Sequence, residues 1–398
     1  MPCIGCGREA KTEPPDFRCP SCGDLLELVA TGRKPDRRSL LRQKAAFGVW
    51  RYAKGLPFWR DVEPISLQEG GTPLVKSASI GKELGLHELY IKNEGQNPTG
   101  SFKDRGMTVA VTRASQRGAK TLICASTGNT SASLAAYSAR GGLKAVVIVP
   151  SGKVAAGKLV QATVHGARIL RMKGNFDEAL ELVMGAVRKN PALYLMNSIN
   201  PYRIEGQKTL AYEVFEQLGG RVPDYVVLPV GNAGNISAIW KGFLELKSWR
   251  ISDSLPRMVG VQAAQAAPIA EAYEKGRDYV KPWGDAKTVA SAIRIGKPVS
   301  WKKALRAIRD SGGFSTTVTD REILEARGQL ALKEGLFVEA ASATPIAALK
   351  RIRRVAKPRS TIVCVTTGNG LKDQESVKVD LREAPELAGG QDLLRALA

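Results

Sequence analysis

Short, uninterrupted apolar runs alternate with amphipathic segments along the chain beyond residue 60. Leu89 to Lys92, Thr121 to Ala125, Lys144 to Val149, Arg168 to Met172, Tyr225 to Pro229, Met258 to Gln262 and Ser360 to Thr366 read as strands. Helical spacing fills the gaps in Ser131 to Arg140, Phe176 to Arg188, Ile204 to Leu218, Asp320 to Glu334 and Thr344 to Val355. Valine- and isoleucine-rich runs without alternation indicate parallel strands covered on both faces, so the expected architecture is open α/β. Before residue 60 the pattern changes. Leu25 to Val29 suggests one short strand, and Thr31 to Arg38, polar with Gly32 and Pro35, a linker. Residues 39–60 have helical spacing and carry Trp50, Tyr52 and Trp59, which are expected to pack on the core. The stretch after Lys372 is polar, and there is no internal repeat.

At 398 residues the chain can bury a large core. No apolar stretch approaches a membrane span, and Met1-Pro2-Cys3 does not open a basic-then-apolar leader, so the expectation is a cytoplasmic protein with no membrane partner. The formal charge of +21 would favour a nucleic-acid surface. The basic residues are dispersed, however, apart from local excesses at Arg33 to Arg51 and Arg351 to Arg359. Solvated helix faces and attraction of a phosphorylated substrate account for the charge, without a nucleic-acid partner.

Cys3, Cys6, Cys19 and Cys22 form two Cys-x2-Cys pairs, the arrangement of two knuckles around a tetrahedral thiolate zinc. Four thiolates leave no open position, so this Zn2+ is expected to be structural. Cys124 and Cys364 sit in apolar runs and read as small core residues.

The chemistry centres on Asn97-Pro98-Thr99-Gly100-Ser101-Phe102-Lys103-Asp104-Arg105-Gly106, where a Pro/Gly turn gives way to an apolar helix beginning near Met107. An amine attacks an aldehyde only when part of it is neutral, which favours a partly buried site. Ser101 could cap the helix and Phe102 could shield Lys103 from water. Alone, Lys103-Asp104-Arg105 would serve equally as the charged first turn of a solvated helix. Gly231-Asn232-Ala233-Gly234-Asn235 follows a strand and precedes a helix from Ile236, which suits an anion or a plain sharp turn. Arg203, with Asn197 and Ser198, offers a fork for a phosphate ester, although a turn arginine can simply be solvated. His87 and His165 lie in polar surroundings and read as structural, which argues against a Ser-His-Asp hydrolase.

With Gly95 before it, the Lys103 run closely resembles the cofactor-lysine motif of the threonine synthase family, which are fold-type-II pyridoxal-phosphate enzymes. Ser66 to Leu74, Ala125 to Ser133, Asn197 to Arg203, Pro229 to Ile236 and Thr367 to Asp373 follow the same family's motifs in order. The resemblance implies a tryptophan synthase β-like fold of two lobes with the cofactor between them. The large lobe would take residues 61–105 and 201–398 and the small lobe 106–200, after a zinc ribbon at 1–30 and a linker with a packing helix at 31–60. It implies pyridoxal 5'-phosphate on Lys103, with Gly231, Asn232, Ala233, Gly234 and Asn235 on its phosphate, Asn129 on its ring oxygen and Thr367 on its ring nitrogen. Ser126, Thr127 and Thr130 would bind the substrate, and Asn197, Ser198 and Arg203 its phosphate. Asn369 stands where many relatives have histidine, so no role is assigned to it.

The implied reaction converts O-phospho-L-homoserine and water to L-threonine and phosphate, and the resemblance implies a homodimer. Lys103 would act as base and acid. Rival readings are a cysteate synthase or threonine dehydratase, or, from another class, a nucleic-acid-binding module made of the ribbon and basic linker. The agreement from Asn197 to Arg203 favours the first reading, because a dehydratase has no substrate phosphate to hold.

Overall fold

The structure is a computed structural model and describes residues 1–29, 34–41, 47–58, 62–151 and 156–376. Two sheets organise it. A six-stranded sheet runs in the order β1 (Leu74–Lys76), β2 (Leu89–Asn93), β10 (Ile362–Thr366), β7 (Tyr225–Pro229), β8 (Arg257–Ala263), β9 (Phe314–Val318). A four-stranded sheet has the order β5 (Arg168–Met172), β4 (Lys144–Pro150), β3 (Thr121–Ala125), β6 (Leu193–Leu195). Every pairing is parallel except β1 with β2. The central strands β7 and β10 are buried at every residue, which is why they read as unbroken apolar runs.

The two sheets are joined through a buried helix, Pro201–Gln217, which crosses the helix Lys103–Gln116 backbone to backbone. A Cβ on Gly206 would lie 1.8 Å from the Arg105 carbonyl oxygen, and one on Gly106 would lie 2.6 Å from that of Arg203. Only glycine permits this approach. Beneath the crossing, fully buried Arg105 pairs with Glu94 at 2.6 Å and Glu213 at 2.9 Å, and Lys92 also pairs with Glu213. Burial alone would raise the Glu213 pKa, but Arg105 and Lys92 outweigh it and hold the carboxylate well below its usual range. The network fixes the helix that starts at Lys103.

Two expectations for the first 60 residues need correction. Leu25 to Val29 is not a strand: the ribbon holds isolated bridges, Pro2 with Glu9, Cys3 with Leu26 and Arg18 with Leu25, because its tight turns at Gly7 and Gly23 leave no length for a ladder. Residues 39–60 are not one helix either. The described parts are a short helix, Arg37–Leu41, and a 3-10 segment, Gly48–Gly55. Gly48 adopts φ +61°, and a Cβ there would meet the Glu69 carbonyl oxygen at 1.8 Å, so the chain turns against the core at that point. Trp50 and Tyr52 are buried as expected, with the Trp50 indole donating to Thr108 Oγ1 at 2.8 Å. Trp59 and the segment 377–398 lie outside the described residues.

Candidate active site

Lys103 opens the helix Lys103–Gln116, and its position is set by the turn before it. Gly100 at φ +79° allows that turn to pair with the loop after β10: Phe102 N donates to Thr367 O at 3.0 Å and Asn369 N to Gly100 O at 2.9 Å. Asp104 fastens the turn from inside, accepting from Thr99 N at 2.7 Å, Thr99 Oγ1 at 2.6 Å and Ser133 Oγ at 2.6 Å. The Lys103 amine sits 4.1 Å from the centre of the buried Phe102 ring, as the shielding expectation required. Burial, reinforced by the nearby Arg203 guanidinium and opposed by Glu339, lowers the Lys103 pKa to about 7. A large neutral fraction at physiological pH makes this amine a competent nucleophile and base. Ser101 does not cap the helix. It forms a bridge with Gly368, and its hydroxyl is buried without a partner.

Three other expected segments lie at the carboxyl ends of β3, β7 and β10, where ligands bind in open α/β sheets. After β7, Gly231 to Asn235 leads into the helix Gly234–Ser248, with Ala233 in the left-handed region at φ +66°. That turn exposes the unpaired N–H groups of a helix start, and Asn235 keeps both polar side-chain atoms buried without partners. Gly231 lies against Ile293, leaving 3.0 Å for any Cβ, and Asn232 accepts from Ser300 N at 3.2 Å. After β10, the Thr367 hydroxyl lies 2.9 Å from Ser342 Oγ, which also accepts from Gly368 N at 2.8 Å. If Ser342 gives its own proton to Thr367, the Thr367 proton is left free to donate elsewhere.

After β3, residues 126–130 form a half-buried strip ahead of the helix Asn129–Arg140. Ser126 Oγ accepts from Gly128 N at 3.3 Å, and the Asn129 amide donates to both oxygens of Glu339, at 2.7 and 3.0 Å. Asn197 is committed differently from the sequence expectation. Its amide makes a two-way pair with the Ala125 backbone, at 3.0 and 2.9 Å, and so ties the segment after β6 to the end of β3. Ser198 is half-buried and faces the turn after β7: its Cβ lies 4.0 Å from where a Gly234 Cβ would stand. Arg203 is 1% exposed; Nη1 donates to Met196 O at 2.9 Å, whereas Nε and Nη2 have no partner among the described residues. Burial lowers its pKa to about 10, an effect that Cys124 partly offsets.

Glu339 and Ser342 were not singled out in the sequence, where they stand in an alanine-rich run, Val338-Glu339-Ala340-Ala341-Ser342-Ala343. The only signal was a lone acid among small residues. Gly368 makes room for this carboxylate, since a Cβ there would fall 1.5 Å from Glu339 Oε1. Burial raises the Glu339 pKa against the pull of Asn129 and Lys372. Lys372 in turn donates to Thr99 O at 2.5 Å and to Gln161. His87 and His165 are exposed, and Cys124 and Cys364 are fully buried.

The four ribbon sulfurs lie within 4.8 Å of one another, with Cys3 Sγ 3.4 Å from Cys22 Sγ and Cys6 Sγ 3.7 Å from Cys19 Sγ. Those separations are too long for disulfides. They approach the ~3.8 Å edge of a tetrahedron built on zinc–sulfur bonds of about 2.3 Å.

Residues 65–368 match the model of a family described as pyridoxal-phosphate dependent enzymes. The chain is 53% identical over 378 residues to the threonine synthase of Methanocaldococcus jannaschii, spanning 94% of this chain and 93% of that protein. It is 50% identical over 389 residues to the threonine synthase of Methanosarcina acetivorans, spanning 97% of this chain and 95% of that protein. Among solved structures, maize serine racemase superposes with a TM-score of 0.67 at 22% identity, over 89% of this chain and 98% of that one. The processed form of threonine deaminase isoform 2 from Solanum lycopersicum gives 0.65 at 20% identity, over the same shares of 89% and 98%. At such identities the likeness speaks for the fold alone.

Proposed function

The chain belongs to the pyridoxal-phosphate-dependent enzyme family and, through relatives about half identical over nearly all of its length, to the threonine synthases; from that premise we propose how its residues divide the work. The reaction is the conversion of O-phospho-L-homoserine and water to L-threonine and phosphate, catalysed by a fold-type-II lyase. When bound, the cofactor supplies a conjugated sink for electrons released at the substrate's Cα and Cβ.

The residues present fit that cofactor. Lys103 would hold its aldehyde carbon, Gly231 to Asn235 its phosphate, Asn129 its ring oxygen and Thr367 its ring nitrogen. The fit is supported by Asn235, whose amide is buried at a helix start without partners among the described residues, and by the Thr367 hydroxyl, whose proton is available to the ring when Ser342 donates to it. A hydroxyl there leaves the ring nitrogen free to lose its proton, as a carboxylate would not.

The observation that carries the substrate assignment is Arg203, a buried guanidinium with two nitrogens that no group among the described residues satisfies. Such a fork calls for an anion, and a phosphate ester matches it. Arg203 and Ser198 would grip the γ-phosphate while Asn197 keeps their segment on the end of β3. Ser126, Thr127 and Thr130 would receive the substrate carboxylate at the helix start. Lys103, with its pKa near 7, would take a proton from Cα and then one from Cβ as the γ-phosphate leaves, and return one to Cγ and, once water has added at Cβ, one to Cα. Glu339 orients the Asn129 amide. The test is Lys103→Ala, which should lose turnover together with covalent retention of the cofactor after borohydride reduction. A variant that still retains the cofactor covalently would refute the assignment.

The ribbon cysteines Cys3, Cys6, Cys19 and Cys22 would hold one structural Zn2+, supported by the clustering of their sulfurs. A cytoplasmic homodimer completes the reading; sedimentation at assay concentration would check the dimer.

A further inference from the structure

The ribbon stands on the segment that carries the phosphate-binding residues. Its Glu13 carboxylate accepts from the Tyr194 hydroxyl at 2.8 Å with one oxygen and from the Tyr202 hydroxyl at 2.8 Å with the other. Tyr194 lies in β6 and Tyr202 in the first turn of the helix Pro201–Gln217, immediately before Arg203. One carboxylate therefore fastens both ends of the connection 194–202, on which Asn197 and Ser198 sit. Phe17, 1% exposed, fills the space behind it, edge-on to the Tyr194 ring at 5.6 Å and to the Tyr202 ring at 6.4 Å. Arg113, from the lysine-bearing helix, closes the cluster by donating to the Tyr202 hydroxyl at 3.1 Å and pairing with Glu13 at 3.5 Å.

The ribbon is anchored on both sides of this cluster. Asp16 pairs with Arg188 at 2.9 Å beside the four-stranded sheet. Glu27 pairs with Lys303 at 2.8 Å, and the Leu28 carbonyl accepts from Lys241 at 2.5 Å, both on helices packed against the six-stranded sheet. It thus spans the two sheets as a strap, and Glu13 and Phe17 are its contacts with the substrate side. The Asn197–Ala125 pair ties the middle of the connection to the end of β3, and the Arg203–Met196 bond is a short-range tie. None of them fixes where the helix start sits relative to the ribbon face, and that is the position Glu13 sets.

We propose that Glu13 and Phe17 are positioning residues for the substrate phosphate, holding the 194–202 connection so that Ser198 and Arg203 meet the departing γ-phosphate. The ribbon is then a part of the substrate site's support and not an inert cap. This rests on the reading of Arg203 as the phosphate ligand.

The experiment uses the full-length holoenzyme and three variants: Glu13→Ala, Tyr202→Phe and Arg203→Ala. Tyr202→Phe keeps the ring and lies in the enzyme core, so it tests the contact even if Glu13→Ala loosens the ribbon. Since a small misplacement of a binding group can cost up to about 100-fold, the KM for O-phospho-L-homoserine should rise by roughly 10-fold in Glu13→Ala and Tyr202→Phe. Binding of L-threonine, which lacks the phosphate, should stay within about twofold, and the cofactor absorbance should be unchanged. A merely structural role would weaken both ligands together, and that result would overturn the proposal. So would an unchanged KM in Tyr202→Phe when Arg203→Ala weakens phosphohomoserine binding. If Arg203→Ala itself leaves the affinity unchanged, the reading of Arg203 fails first and takes the proposal with it.

Discussion

Replacing Arg203 by methionine should weaken catalysis without weakening the fold, a combination that tests why this residue is there. The side chain is 1% exposed, and its folded pKa of about 10 lies below the ordinary 12.5. A cation whose folded pKa is depressed opposes folding wherever it is charged, which includes the whole neutral range. Roughly 2.5 units at 1.36 kcal/mol each correspond to about 3 kcal/mol against the unliganded fold. Methionine removes that penalty, keeps an unbranched side chain of similar reach, and gives up the Met196 hydrogen bond, which as a bond from a charged group is worth about 1.5–3 kcal/mol. The net effect on the apoprotein is therefore small or stabilising. Substrate binding should suffer, since a hydrogen bond to a charged group contributes about 1.5–3 kcal/mol, equivalent to roughly 10- to 150-fold in kcat/KM. Arg203→Lys should recover only part of this, because an ammonium lacks the planar fork. Steady-state kinetics on phosphohomoserine and thermal melts of the apoprotein are the two measurements. A melting temperature several degrees lower in Arg203→Met, with kcat/KM intact, would mean that the guanidinium serves the fold and that the phosphate is bound elsewhere.

Apoprotein should take up cofactor faster as pH rises, with the half-rise near 7, because the neutral fraction of Lys103 grows through its pKa; stopped-flow absorbance would show it, and a half-rise near 10 would contradict the burial argument. Gly206→Ala drives a Cβ to 1.8 Å from the Arg105 carbonyl oxygen, so the cost should exceed about 3 kcal/mol in denaturant melts, and a well-folded active variant would show that the helices can separate. Elemental analysis of freshly prepared protein should find one zinc per chain, and Cys19→Ser should lose both the metal and the ribbon's protection from proteolysis while the cofactor absorbance persists.

The parallel strands were legible because both of their faces are covered. Thr121 to Ala125 and Tyr225 to Pro229 read as strands in the sequence at the bounds the fold gives them; Arg168 to Met172 did so too, although this edge strand has no buried residue and its cover does not explain it. The three-residue strands Leu74–Lys76 and Leu193–Leu195 are too short to form a run, and they escaped notice. Thr344 to Val355 read as one helix, but the backbone turns tighter at Ala348 and leaves two short ones. In the site, Lys103 and the loops after β3, β7 and β10 are contiguous motifs and can be read along the chain. Glu339 and Ser342 act through contacts with Asn129 and Thr367, made by segments distant in sequence, so no local pattern announces them. Ser101 shows the converse: its type and place fit a helix cap, yet the bridge to Gly368 turns it to another use.

The most direct test of the whole account is a product assay in which the holoenzyme receives O-phospho-L-homoserine, O-phosphoserine with sulfite, and L-threonine in parallel. L-threonine and phosphate should appear in equal amounts from phosphohomoserine, with little turnover of the other two. Faster formation of cysteate, or of 2-oxobutyrate from threonine, would contradict it.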